Sequence, residues 1–111
     1  MKTKISQEIA LTVIDSWQSD DMTSWYRKWS DGWIEQGGSI ITSASGFSTK
    51  TLVIPMINNK YQLLLTTTDP DTNGKMNGTV WRNKTTNTFQ VASAYNDNFY
   101  SLNVDWYACG Y

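Results

Sequence analysis

Short runs in which apolar and polar residues alternate recur roughly every ten residues along this chain, separated by clusters of Gly, Asn, Asp and Ser. A period of two places alternate side chains on opposite faces, so these runs predict strands and an all-β domain. They fall at 10–18 (ALTVIDSWQ), 25–30 (WYRKWS), 33–38 (WIEQGG), 48–57 (STKTLVIPMI), 60–68 (KYQLLLTTT), 79–83 (TVWRN), 88–95 (TFQVASAY) and 100–108 (YSLNVDWYA). Gly37 and Gly38 read as a break, after which SIITSA continues the path. Pro55, inside an apolar run, marks an edge strand or a bulge because it donates no ladder hydrogen bond. Helical character is confined to residues 4–10.

The most aromatic stretch is WYRKWSDGWIEQGG, residues 25–38. Asp31 and Gly32 have the composition of a two-residue type I′ hairpin loop. That register pairs Trp29 with Ile34, Lys28 with Glu35 and Arg27 with Gln36. It puts Trp25, Trp29 and Ile34 on one face, and Tyr26 and Trp33 on the other. Aromatic mass on both faces departs from the apolar-in, polar-out alternation of a half-solvated sheet. Trp25, Tyr26, Trp29 and Trp33 are therefore expected in the core or in contact with another copy of the chain. The last strand alternates likewise, with Tyr100, Leu102, Val104, Trp106 and Ala108 as its core set.

At 111 residues there is room for one domain, which buries roughly two-thirds of its unfolded surface. Nine basic and ten acidic residues leave a net charge of −1 and no basic stripe, which argues against nucleic acid as a partner. The absence of His removes the usual general base and the usual zinc ligand. Cys109 stands alone, so no intrachain disulfide forms, and its apolar strand predicts a small buried hydrophobe. No apolar run approaches the length of a membrane span or the core of a signal peptide, so the expectation is synthesis in the cytoplasm without membrane insertion.

With these residues in view, WYRKWSDGWIEQGG closely resembles a motif of the C-terminal domain of phage and prophage tail fibre proteins, where W-Y-R-x-[WY] meets S-D-G-W and then E-Q-G-G. LVIPM followed by YQLLLTTTD is similar to that family's apolar central strands, and the ending DWYACGY to its W-Y-A-x-G-Y terminus. The resemblance covers residues 13–111, leaving 1–12 as a lead that ends a stalk or linker. It implies a small antiparallel β-sandwich, lectin-like and homotrimeric, at the tip of a virion tail fibre made in a bacterial host. It also implies a non-catalytic role in touching a host cell-surface glycan such as lipopolysaccharide or capsule. A cap that trimerises without recognising anything, and a carbohydrate-active enzyme, are the alternatives.

Two loops carry candidate chemistry. In SAYNDNFY, residues 93–100, Tyr95, Phe99 and Tyr100 flank Asn96, Asp97 and Asn98. Rings that stack on sugar faces beside amides and a carboxylate suit a glycan, so Tyr95, Asn96, Asp97 and Asn98 are the first recognition candidates. Asp71 and Asn73 in DPDTNGKMNG are the second. In that loop Asp69, Asp71, Asn73 and Gly74 match the first half of a calcium loop, but Val80 stands where the bidentate Glu is needed. No metal or other cofactor is expected, and the loop reads as a turn. Carboxylates at Asp15, Asp20 and Asp21, or at Asp69 and Asp71, are the acid–base groups a glycosidase would have to use. They sit near turns and strand ends, where carboxylates are ordinarily solvated, and catalysis is not expected.

Overall fold

The structure, a computed structural model, describes residues 10–68 and 78–111. These form nine strands: β1 (Val13–Gln18), β2 (Ser24–Trp29), β3 (Ile34–Ile41), β4 (Ser48–Thr51), β5 (Gln62–Thr67), β6 (Gly78–Arg82), β7 (Thr88–Tyr95), β8 (Asn98–Tyr100) and β9 (Asn103–Gly110). All pairings are antiparallel. One sheet has five strands in the order β1-β2-β3-β9-β5; the other has the order β4-β7-β6, with β8 also paired to β7. The fold is thus all-β, as the alternation predicts, and an antiparallel β-sandwich, as the resemblance implies.

The core forms where the second sheet lies over β3, β9 and β5. Ile34, Leu63, Trp106 and Ala108 face Phe89 and Val91, and the Trp106 and Phe89 rings meet at 5.4 Å between centroids. Leu52, Met56 and Tyr61, from the connection between β4 and β5, close one end. That connection is not a strand beyond Thr51. It carries Pro55, and its backbone polar groups find partners outside any ladder. Gln36, completely buried on β3, supplies them. Its Oε1 accepts from the N–H groups of Val53 (2.7 Å) and Ile54 (3.1 Å), while its Nε2 donates to the Ile54 carbonyl (2.8 Å). One amide replaces three missing ladder contacts, and each such group left unpaired would cost about 1–3 kcal/mol.

The two glycines after Gln36 do not break the strand; both lie within β3. Their role is close approach. A Cβ on Gly37 would come within 2.5 Å of the Trp106 carbonyl oxygen, and one on Gly38 within 2.0 Å of the Thr23 carbonyl oxygen. No flexible side chain stands there to yield, so only glycine fits.

The β2–β3 hairpin differs from the sequence expectation by one residue. Lys28 pairs with Ile34, Arg27 with Glu35, Tyr26 with Gln36 and Trp25 with Gly37. The loop has three residues, because the Gly32 amide donates to the Trp29 carbonyl (2.9 Å) and the Trp29 amide to the Trp33 carbonyl (2.8 Å). Gly32, at φ 93°, takes the left-handed position that ends a type I turn with a bulge. A slip of one residue exchanges faces. Ile34 therefore leaves Trp25 and Trp29 and enters the core, and Glu35 faces Arg27 instead of Lys28. Tyr100 belongs to β8 and is 39% exposed, so the buried set of the last strand is Val104, Trp106 and Ala108. Cys109 is half-buried on the face opposite the core, beside Glu35 and Gln62, and is not the buried hydrophobe its strand suggests. The helical expectation at residues 4–10 falls almost wholly outside the described residues.

Replacing Gln36 by Leu should lower unfolding stability by about 3 kcal/mol or more, because three part-buried backbone groups lose their partners; urea denaturation measures it. Burial pushes the Tyr61 phenol up to about 12, and its hydroxyl donates to the Thr85 carbonyl at 2.9 Å. The neutral form is the one the fold favours. That stabilisation is complete below the ordinary value of 10.0 and is lost as pH rises towards about 12. Stability should fall across that window, and Tyr61→Phe should flatten the fall.

Candidate functional site

β7 is anchored by Phe89, Val91, Ala92 and Ser93, none more than 1% exposed, and then leaves the core as a ribbon paired to β8. Tyr95 pairs with Asn98 across a two-residue turn in which Asn96 (φ 52°) and Asp97 (φ 65°) are both left-handed. This is a type I′ turn; Asn and Asp tolerate that region better than other non-glycine residues. The Asn98 side-chain amide donates to the Asn96 carbonyl at 3.2 Å and braces the tip. Asn96, Asp97 and Asn98 are exposed and Tyr95 is half-buried. The four candidates therefore share one rigid, solvent-facing tip.

The rings around that tip divide between its faces. Tyr95 and Tyr100 lie on one side with centroids 6.3 Å apart. Phe99 pairs with Ala94 and lies on the other, where its ring meets Phe47 at 6.1 Å. Phe47 in turn carries the Arg82 guanidinium, 3.8 Å from its centroid. Neither Phe47 nor Arg82 stands out in the sequence, since each is remote from residues 93–100 and only the sheet brings them together. Asp69, Asp71 and Asn73 lie outside the described residues. The chain on either side of that loop is tied to β7, since the Thr67 and Thr79 hydroxyls are 2.5 Å apart and Thr79 reaches the Ser93 hydroxyl at 2.9 Å. Among the described residues no three His, Cys, Asp or Glu side chains come together as a metal site.

The second assembly is the face of the five-stranded sheet opposite the core. The Trp25 ring lies 6.0 Å from Tyr107. Glu35 accepts from the Trp29 indole N–H (3.3 Å) through one oxygen and from the Tyr107 hydroxyl (3.4 Å) through the other. Burial, and then the Glu35 charge, raise the Tyr107 phenol above its ordinary value. Leu64, next to Tyr107 across the ladder, is 61% exposed. Trp33 packs edge-on against Tyr111 at 5.2 Å. Tyr26, on the core side, donates to Asp15 at 2.9 Å, and that bond raises its phenol. Trp25, Tyr26, Trp29 and Trp33 are all half-buried, and none belongs to the core cluster.

β1, an edge strand, is exposed throughout, with Ile14 at 59% and Trp17 at 49%. With β2 it borders a groove of about 510 Å³ lined by Trp17, Met22, Trp25, Tyr26, Gln18 and Arg27 among others. The turn that carries Met22 is rigid. Asp21 accepts from the Ser19 hydroxyl (2.8 Å), the Thr23 hydroxyl (2.8 Å) and the Thr23 amide (3.1 Å), which holds its carboxyl below the ordinary value. Met22 itself is held at φ 65° and is 59% exposed.

No protein-family model matches the chain, and no curated protein sequence matches it. Solved structures do. An N-truncated R2-type pyocin tail fibre aligns with a TM-score of 0.68 at 22% identity, over 90% of this chain and 39% of that one. A Pseudomonas aeruginosa R2 pyocin fibre fragment of C-terminal residues gives 0.68 at 22% identity, over 89% of this chain and 26% of that one. An N-truncated R1-type pyocin tail fibre gives 0.56 at 15% identity, over 89% and 88%. The chain thus has the fold found in R-type pyocin tail fibres, and it spans well under half of the first two.

Glycine is the least strained residue at a left-handed turn position, and Asn-Gly the favoured type I′ pair. Asp97→Gly should therefore stabilise the protein by about 0.5–1 kcal/mol in urea unfolding.

Proposed function

We propose that this protein is a non-catalytic recognition module of the tail-fibre-tip kind, assembled as a homotrimer and directed at a host cell-surface glycan such as lipopolysaccharide or capsule. The observation that carries this reading is the face of the five-stranded sheet opposite the core. Trp25, Trp29, Tyr107 and Leu64 cross it half-exposed, with no layer of the described chain above them. Sister chains are the cover, and the fold shared with pyocin tail fibres supports that choice. Trp25 and Trp29 are the interface rings. Trp17 and Met22, bordering the groove at the open edge, extend the contact.

The β7–β8 tip lies on the other sheet, so assembly through the large sheet leaves it accessible. Tyr95, Asn96, Asp97 and Asn98 are the recognition residues, with Asp71 and Asn73, which lie outside the described residues, as the second candidates. Three tips presented together raise weak single-site binding by about 10²–10⁴-fold where the receptor's spacing lets them engage at once. The module works at a virion tail-fibre tip and breaks no bond. Asp15 is engaged by Tyr26 and Asp21 by Ser19 and Thr23, which argues against either as a glycosidase acid.

A glycan array probed with the full chain should show binding, and Tyr95→Ala or Asn96→Ala should abolish it without changing the oligomer. Absence of any glycan binding by an intact oligomer would leave a structural cap. Shortened polysaccharide after incubation would make the protein an enzyme.

A further inference from the structure

On the outer face of the small sheet an arginine is held by a ring and an amide, with no carboxylate partner among the described residues. The Arg82 guanidinium lies flat enough on Phe47 to bring its carbon within 3.8 Å of the ring centroid. Its Nε donates to the Gln90 side-chain oxygen at 2.8 Å. The same oxygen accepts from the Asn83 amide at 2.8 Å, which fixes Gln90 in turn. Phe47 also meets Phe99 of the β8 ribbon, ring to ring at 6.1 Å. Arg82 is nevertheless exposed, and among the described residues no Asp or Glu forms an ion pair with it.

Each of these restraints has a consequence. Stacking and the Nε bond use one face and one edge of the guanidinium, and its two terminal nitrogens have no hydrogen-bond partner among the described residues. A planar fork of N–H donors matches a carboxylate or phosphate in two parallel bonds. A side chain already immobilised loses little entropy on binding. Phe99, 41% exposed beside Phe47, offers ring surface for the apolar side of a sugar.

We infer that Arg82, on its Phe47 and Phe99 platform, is an anion subsite that recognises the carboxylate or phosphate of an acidic saccharide. This rests on the glycan-binding reading above and extends it: the tip contacts hydroxyls, and Arg82 selects for negative charge. The ligand class follows from charge complementarity, a permanent cation without an Asp or Glu partner among the described residues, stacked on an aromatic ring.

Calorimetric titration of the full chain with a glucuronate-containing oligosaccharide, its carboxyl-reduced neutral counterpart and a phosphorylated oligosaccharide tests this. At least one acidic ligand should bind about tenfold or more tightly than the neutral one; which one does identifies the anion. Arg82→Gln should erase that preference. Arg82→Lys should not restore it, because an ammonium has no fork. Lys60→Gln, which removes an equal charge elsewhere, should leave it intact. Circular dichroism and the oligomeric state should be unchanged in all three variants. Saccharide binding without charge preference, or a preference that survives Arg82→Gln, overturns the subsite while the glycan reading stands. No saccharide binding at all overturns both. Equally tight, Arg82-dependent binding of an acidic peptide overturns the assignment to saccharide.

Discussion

A five-stranded sheet has two faces, and the described chain supplies a layer for one of them. The second sheet covers the side of β3, β9 and β5 that carries Ile34, Gln36, Trp106, Ala108 and Leu63. Its width ends there. β1 and β2 extend past it, and Trp17 and Tyr26 remain partly open even on the core side. On the opposite side Trp29 and Tyr107 share Glu35 as a polar partner, but no layer of the described chain covers the rings. Half-exposed indole and phenol rings such as Trp29 and Tyr107, whose polar atoms are held by Glu35, are suited to contact with another protein surface, where aromatic residues are enriched.

The residues that make the sequence distinctive turn out to serve the scaffold. Gln36 ties an irregular connection to the middle of the large sheet. Gly37 and Gly38 let β3 pass closer to Trp106 and Thr23 than any side chain permits. Trp25 then packs its ring edge against Gly37, and a Cβ there would sit 3.1 Å from it. Glutamine, paired glycines and tryptophan thus form one mechanical unit. The proposed recognition residues lie on the other sheet, where a two-residue turn extends from the largely buried β7 and the stacked Arg82 stands on the mostly exposed β6. Left-handed, non-glycine backbone at Asn96 and Asp97 costs stability, and it is the kind of cost that persists where a surface is used.

Much of the architecture was legible because the period of two is a local property. β7 coincides with residues 88–95, and β1, β2, β5 and β6 lie within a residue or so of their runs, apart from the lead before β1. The hairpin register was not legible. Asp31 and Gly32 suit a two-residue I′ loop and also a three-residue loop ending in a left-handed glycine. The choice is set at a distance, by the pairing of Ile34 and Gln36 with Gly110 and Ala108 on β9. The apolar run 48–57 misled for a related reason: Leu52 and Met56 are buried as a strand's would be, but through a loop clamped by a side chain. The tip itself was visible as Asn-Asp between aromatic strands. Arg82 and Phe47 were not, since cross-strand partners and a stacking contact assemble them.

The account turns on whether the uncovered face of the large sheet is closed by other copies of the same chain. Sedimentation equilibrium of the purified protein, across a range of concentrations, measures this directly. A mass near three times 12.6 kDa is the predicted result, falling towards 12.6 kDa when Trp25 is replaced by Ala. A stable species of 12.6 kDa at every concentration, with Trp25 and Trp29 shielded within that single chain, would contradict it.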